Sequence, residues 1–135
     1  DVFEKAGNFD TEIRSGQDTD LWIRIGLHFP IVFDWQILAR YVYDPNSLSK
    51  VTKLALSRIR FEKYAEAEKG NLELKKILDI NRWSIALQAK KVGEYQYFKT
   101  ICKEIDWDNI QLSKRLFIQL PTPILQLLLS IRGKL

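Results

Sequence analysis

The chain carries the stretch Gly7-Asn8-Phe9-Asp10 near its N-terminus and, after five intervening residues, the stretch Gly16-Gln17-Asp18-Thr19-Asp20-Leu21-Trp22-Ile23-Arg24. Residues 7–24 hold four acidic side chains, and the glycines and the asparagine among them favour turns. Asp18 or Thr19 is the predicted N-cap of a helix that runs to about His28, because Pro30 cannot continue it. The two stretches therefore predict a turn-rich acidic loop that leads into an amphipathic helix.

Further elements are predicted on both sides of this segment. Residues 2–6 are the predicted end of a helix that Gly7 terminates. Residues 31–35 and 37–43 are rich in β-branched and aromatic side chains, which favours two strands, and residues 44–47 form a predicted turn. The pattern indicates a short β-hairpin after the first amphipathic helix.

After residue 50 the pattern of apolar residues is helical throughout. The first of these predicted helices ends at about Lys69. The next three cover residues 72–92, 95–105 and 111–120, and residues 121–123 open the last one. The helices over 72–92 and 95–105 are separated by a glycine turn, which predicts an antiparallel helical hairpin. The expected fold is mostly α with a short β-hairpin, divided into residues 1–50 and residues 51–135.

The composition is that of a folded chain. Its 135 residues suffice for one ordinary domain with its own core, and 46% of them are hydrophobic. The longest apolar run, residues 124–131, is interrupted by Gln126 and Ser130 and is too short to span a bilayer. Cys102 is alone, so the sequence predicts no internal disulfide, which fits a reducing compartment.

The net charge of +4 hides an asymmetry along the chain. Residues 1–50 hold five basic and eight acidic side chains, a net charge of −3, whereas residues 51–135 hold sixteen and nine, a net charge of +7. The basic residues of the second part alternate with glutamates at helical spacing, which favours a solvated helix face. No nucleic-acid-binding motif is present, so no nucleic acid is expected as a partner.

Three carboxylates in the opening segment are candidates for chemistry: Asp10, Asp18 and Asp20. Carboxylates act as general bases, as metal ligands or as partners for hydroxyl groups. Asp18 lies between the loop and the predicted helix start, where the helix N-terminus stabilises its charged form. The alternative is that Asp18 serves only as an N-cap, which is a common role for aspartate before a helix.

The linked motifs resemble the later half of a family 2 glycosyltransferase catalytic domain. That family's pattern is Gly-Gly-Phe-Asp-Glu, a short loop and Glu-Asp-x-Asp-Leu-Trp-x-Arg, which residues 7–11 and 17–24 follow with substitutions at Asn8, Thr11 and Gln17. Residues 29–49 fit the family's next strands and its serine-containing loop. The resemblance covers residues 1–50 and implies the tail end of a GT-A-type α/β domain, followed by an all-helical extension.

The resemblance also implies roles for individual residues. In that family the aspartate of the Glu-Asp pair is the catalytic base of an inverting sugar transfer, which places the base at Asp18. The substrate-binding residues that the resemblance implies are Asp10, Gln17, Asp20, Trp22 and Arg24. The alternatives are core packing for Trp22 and a surface ion pair for Arg24.

The family's donor-binding half has no counterpart in this chain. That half carries an Asp-x-Asp motif for a divalent metal, whereas Asp106-Trp107-Asp108 lies between predicted helices with no hydrophobic strand before it. We therefore predict no metal site in this chain and expect Mg²⁺ or Mn²⁺ to be bound by residues outside it. The chain begins without Met in a helical pattern, so we expect a C-terminal piece of a longer protein that is inactive alone.

The partners follow from the same resemblance. It implies a nucleotide-sugar donor and a glycan or lipid-linked acceptor, used in polysaccharide or glycoconjugate synthesis, and a cytoplasmic location at the inner face of the membrane. Unpaired strand edges in residues 1–50 predict a homodimer of the fragment. The leading alternative to an enzyme is a small helical module that binds a protein partner.

The last predicted helix allows two interpretations. It is short and very apolar, and from residue 111 onward the chain has four basic residues and no acidic ones. Such a helix favours peripheral contact with an anionic membrane surface. The alternative is a C-terminal helix that packs in the core.

Overall fold

The computed structural model describes residues 1–13, 15–40, 42, 44 and 61–132. The chain divides into two compact units, residues 1–59 and residues 60–135. The division predicted after residue 50 lies outside the described residues, as does the predicted helix before residue 61.

The first unit is built on two helices, α1 (Val2–Ala6) and α2 (Gln17–His28). Asp1 caps α1 through a capping box with Glu4, and Gly7 ends this helix as predicted. The end of α2 at His28 is also as predicted, because the backbone is already extended at Phe29 ahead of the proline.

The predicted start of α2 is wrong. Its N-cap is Gly16, with φ 86° and ψ 18°, so Asp18 and Thr19 both lie within the first turn. Glycine adopts this left-handed conformation without steric cost, which lets the chain enter the helix at Gly16, ahead of Asp18. Asp18 is therefore a first-turn residue whose side chain does not cap the helix.

No strand is present among the described residues, so the β-hairpin predicted over 31–35 and 37–43 is not confirmed. Residues 31–40 form no hydrogen-bonded ladder, and their side chains are exposed. Val32 and Trp35, for example, are about nine-tenths exposed. A two-stranded hairpin is marginal in water unless a further strand or a helix covers its apolar face, and no described residue covers this one.

The second unit is helical in its described part. Its elements are a 3-10 turn (Phe61–Tyr64), α3 (Ala65–Lys69), α4 (Leu72–Val92), α5 (Tyr95–Glu104), a 3-10 turn (Trp107–Asn109), α6 (Leu112–Gln119) and α7 (Thr122–Arg132). The bounds of α4 are those predicted, α5 ends one residue earlier than predicted, and α6 is one residue shorter than predicted at each end. The mostly α part of the expected fold is therefore confirmed.

The predicted antiparallel hairpin is formed by α4 and α5. Gly93 joins them in a left-handed conformation with φ 85°, and its N–H caps the end of α4. At the far end, Lys75 Nζ near the start of α4 donates to Glu104 O at the end of α5, at 3.2 Å. Leu78, Ala86 and Ala89 of α4 are fully buried and form much of the core of this unit.

None of the helices among the described residues combines the length and the apolar character needed to cross a bilayer.

Candidate functional site

The Gly-Asn-Phe-Asp loop is tied to α2 by one arginine. Arg24 Nε donates to Asp20 Oδ2 at 3.0 Å, and the Asp20 side chain is fully buried. The same guanidinium reaches across to the end of α1, where Nη1 donates to Ala6 O and Nη2 donates to Asn8 O at 2.8 Å. Charge-assisted bonds of this kind are stronger than neutral ones. Arg24 therefore fixes the end of α1 and the following loop against α2.

Gly7 is required at the centre of this contact. Its backbone has φ 74° and ψ 172°, a region that only glycine adopts readily. A Cβ at this position would also lie 3.1 Å from Arg24 Nη1, closer than side chains normally approach. Gly7 of the first motif and Arg24 of the second thus form one contact, which joins the loop to α2.

The opposite face of α2 is open to solvent. Asp18 and Trp22 are four residues apart, so they share a helix face, whereas Asp20 and Arg24 share the face towards α1. Asp18 is exposed, and its Oδ1 accepts from the backbone N–H of Thr19 at 2.7 Å. Trp22 is 64% exposed, so it does not pack in the core of this unit. These two side chains present a carboxylate and a flat aromatic surface to solvent.

The two remaining predicted site residues lie beside this face. Asp10 is half-buried, and its Oδ1 accepts from the backbone N–H of Glu12 at 3.0 Å, which closes a local turn. Gln17 is the first residue of α2 and is exposed. The structure therefore gives Asp10 a role in shaping the loop and leaves Gln17 accessible.

The chemistry that this face offers is that of a single carboxylate. Asp18 lies in the first turn of a twelve-residue helix, where unpaired N–H groups stabilise negative charge. No cation of the described residues lies within ion-pair distance of it. Nor do the described residues contain a group of three or more His, Cys, Asp or Glu side chains that could hold a metal. The arrangement suits an acceptor of a proton or a hydrogen bond.

A second polar cluster, which sequence reasoning missed, is buried in the second unit. Asp79 and Arg82 on α4 are almost fully buried although both are charged. Asp79 accepts from Lys75 Nζ at 2.7 Å and from Asn109 Nδ2 at 2.7 Å, and Arg82 pairs with both oxygens of Glu68 at 2.7 and 2.9 Å. We call these five residues the buried ionic cluster. Part of the helix face expected to be solvated is therefore internal.

The cluster keeps Arg82 charged. Burial alone would lower the pKa of Arg82, but the hydrogen bonds and charges of Glu68 and Asp79 outweigh it and hold that pKa above its usual range. Arg82 Nε is buried without a hydrogen-bond partner among the described residues, and Glu104 Oε2 lies 3.6 Å from it. The spacing of Lys75, Asp79 and Arg82 along α4 was the available sequence signal, since such residues meet on one helix face.

The second unit also has a mostly apolar cleft of about 570 Å³. Its lining includes Phe98, Cys102, Trp107 and the stem of Lys90. Lys90 Nζ donates to Ile118 O at 2.6 Å, so its charge is directed at the protein itself. Burial raises the pKa of the Cys102 thiol against the opposing charge of Lys90, which makes this cysteine a poor nucleophile.

Comparisons of the chain with protein-family models, with curated proteins and with solved structures give no match.

Proposed function

We propose that residues 1–50 are the acceptor-side end of an inverting family 2 glycosyltransferase domain, in which Asp18 is the catalytic base. The observation that carries the proposal is the division of α2 into two faces. Asp20 and Arg24 hold the loop, whereas Asp18, on the opposite face of α2, keeps an exposed carboxylate. The motif that resembles the family thus separates into a supporting half and a reactive half.

The proposed reaction needs one carboxylate on the acceptor side. An oxygen of Asp18 takes the proton from the acceptor hydroxyl while that hydroxyl oxygen forms a bond to the anomeric carbon of the donor sugar. The bond from the anomeric carbon to the nucleotide diphosphate breaks on the opposite face, and the electron pair leaves with the diphosphate. The configuration at the anomeric carbon is inverted. A positioned base of this kind contributes about 10²–10⁴-fold to the rate.

The contacts of Arg24 support this role because proton transfer demands a fixed geometry. Arg24 bonds to the carbonyls of Ala6 and Asn8 and to the buried carboxylate of Asp20, so the loop and the first turn of α2 are held as one piece. We infer that Asp20 and Arg24 affect substrate binding through the position of this loop. Trp22, on the same face as Asp18, offers a flat apolar surface to a sugar ring.

The exposed apolar side chains of residues 31–38 also fit the proposal. Ile31, Phe33 and Ile37 are each more than 70% exposed in the first unit by itself. In a GT-A-type domain this segment would be completed by the parent sheet, where the two predicted strands would pair. The nucleotide-sugar site and the Mg²⁺ or Mn²⁺ ion would then belong to residues outside this chain, and the chain alone would be inactive.

The biological setting follows from the same proposal. The acceptor would be a glycan or a lipid-linked saccharide of polysaccharide or glycoconjugate synthesis, on the cytoplasmic side of the membrane. The second candidate is a non-enzymatic helical module that binds a protein partner. The apolar cleft of the second unit favours it, because clefts of this size commonly hold ligands or partner side chains.

The experiment that tests the proposal starts from the gene around this sequence, which the proposal requires to encode a longer protein. Its reading frame should contain an Asp-x-Asp motif after a hydrophobic strand upstream of Asp1. The purified protein is incubated with a panel of nucleotide-diphosphate sugars, release of the nucleotide diphosphate is measured, and the product is examined by NMR. We expect a product of inverted anomeric configuration. A retained configuration, or a reading frame that starts at this chain, would refute the proposal.

A further inference from the structure

The last helix, α7, has two apolar faces, and the rest of the second unit covers one of them. Leu125 is fully buried, and Gln126 Nε2 donates to Lys91 O of α4 at 2.9 Å. Near its start, Thr122 Oγ1 shares a hydrogen bond of 3.3 Å with the Tyr95 hydroxyl of α5. These contacts hold α7 against the helical hairpin and fix which way its other side points.

The second apolar face points to solvent. It consists of Ile124, Leu127, Leu128 and Ile131, which are 41–61% exposed. Their positions follow the i, i+3, i+4, i+7 spacing, so they form one continuous stripe along the helix. We call these four residues the outward α7 face. Single apolar side chains scattered over a surface are normal in proteins. A continuous stripe of four large ones is instead typical of an interaction surface.

The sequence of the last part of the chain carries charged residues of one sign. From residue 111 to the C-terminus the sequence holds Lys114, Arg115, Arg132 and Lys134 and no acidic residue. Two exposed leucines of α6, Leu112 and Leu116, add apolar surface to the same segment. The segment therefore combines exposed apolar side chains with an excess of basic residues, of which Arg115 pairs with Asp108 at 3.3 Å.

We propose that the outward α7 face docks on the surface of an anionic lipid bilayer, with the helix lying in the plane of the interface. An anionic bilayer supplies both things that the segment lacks: an apolar layer for the four side chains and negative headgroups for the basic residues. A second copy of the chain would supply the apolar surface but would bring like charges together, which disfavours it. The proposal does not depend on the glycosyltransferase reading.

The structure also lowers the cost of this docking. Many amphipathic segments become helical only when they bind, and the conformational entropy that they then lose weakens their binding. Here α7 is already helical and is held by Leu125, Gln126 and Thr122. Its outward face is therefore presented to a membrane before contact.

The test is co-sedimentation of the 135-residue chain with lipid vesicles. One set of vesicles is pure phosphatidylcholine, and the other is an equal mixture of phosphatidylcholine and phosphatidylglycerol. We expect binding to the mixed vesicles that weakens as salt is added and is much weaker on phosphatidylcholine alone. The double variant Leu127→Gln/Ile131→Gln should lose on the order of tenfold in affinity per replaced side chain.

The matched control is Leu72→Gln, because Leu72 is an equally large leucine that is 75% exposed at the start of α4. It should bind the mixed vesicles as the wild type does, and all three proteins should keep the same far-UV circular dichroism. Absence of wild-type binding to either vesicle, equal binding to both, or unchanged binding of the double variant would overturn the proposal. Dimerisation that the double variant abolishes, without vesicle binding, would assign the face to a second copy instead.

Discussion

Replacement of Arg82 by methionine should remove most of the stability of the second unit. Arg82 is 4% exposed and makes three short contacts, two to Glu68 and one to Asp79 at 3.2 Å. Methionine fills much of the same space but cannot donate, so the fully buried Asp79 keeps only its bonds from Lys75 and Asn109. Removal of one partner from a buried charge cluster costs about 3–5 kcal/mol.

This loss of stability is large relative to the total unfolding free energy of a domain. Domains of ordinary size are stable by about 5–15 kcal/mol, and a unit of this length belongs near the lower end. We therefore expect Arg82→Met to be partly unfolded without denaturant. Because the pKa of Arg82 is raised in the folded state, its contribution is fully present at every pH below its ordinary pKa and is lost only in strong alkali. The effect of the substitution should therefore be the same across the neutral range.

The assay is urea unfolding followed by far-UV circular dichroism, with Lys69→Met as the matched control. Lys69 pairs with Glu66 at 2.7 Å, a short ion pair like that of Arg82, but both side chains of this pair are largely exposed. Exposed pairs contribute little, so the midpoint of the control should stay within error of the wild type. Equal midpoints for Arg82→Met and Lys69→Met would refute the reasoning that burial makes this cluster matter.

Two further predictions concern single positions. Gly7→Ala should destabilise the first unit by about 1–3 kcal/mol, because its positive φ and the nearby Arg24 Nη1 both exclude a side chain. Gly26→Ala, inside α2 with only ordinary contact to Ile31, should be neutral or stabilising, and similar thermal midpoints for the two variants would contradict this. Burial raises the pKa of the half-buried Cys102 thiol above its usual range, so the unfolded state loses its thiol proton first as pH rises. The unfolding free energy should therefore fall more steeply above the ordinary pKa of a thiol in the wild type than in Cys102→Ala, and parallel curves would count against partial burial of this thiol.

Sequence alone predicts those helices that have a capping residue at each end. The bounds of α4 follow from Asn71, whose side chain accepts from the N–H of Leu74, and from Gly93, which takes the left-handed conformation that ends a helix. The predicted start of α2 is wrong because Gly16 caps the helix through its backbone conformation, which leaves no side-chain signature in the sequence. Local signals of this kind lie within a few residues of the element they bound.

The features that sequence alone misses or leaves unconfirmed depend on residues far apart in the chain. Residues 31–40 have strand composition, but a strand needs a neighbour to pair with, and composition does not reveal whether one is present. Burial of Asp79 depends on Asn109, thirty residues away. In the candidate site, the pairing of Asp20 with Arg24 is readable from their spacing. The reach of Arg24 to the carbonyls of Ala6 and Asn8 is not, because it requires the loop to fold back on α2.

The most direct test of the proposed base is Asp18→Asn in the longer protein. Asparagine keeps the size of the side chain and its bond from the N–H of Thr19, but it cannot accept the acceptor's proton. Glu12→Gln, which removes another exposed acid from the same loop, is the matched control. We predict that sugar transfer falls by about 10²–10⁴-fold in Asp18→Asn while donor affinity and control activity stay at wild-type values. Unchanged turnover in Asp18→Asn, or an equal loss in Glu12→Gln, would contradict the assignment of Asp18 as the base.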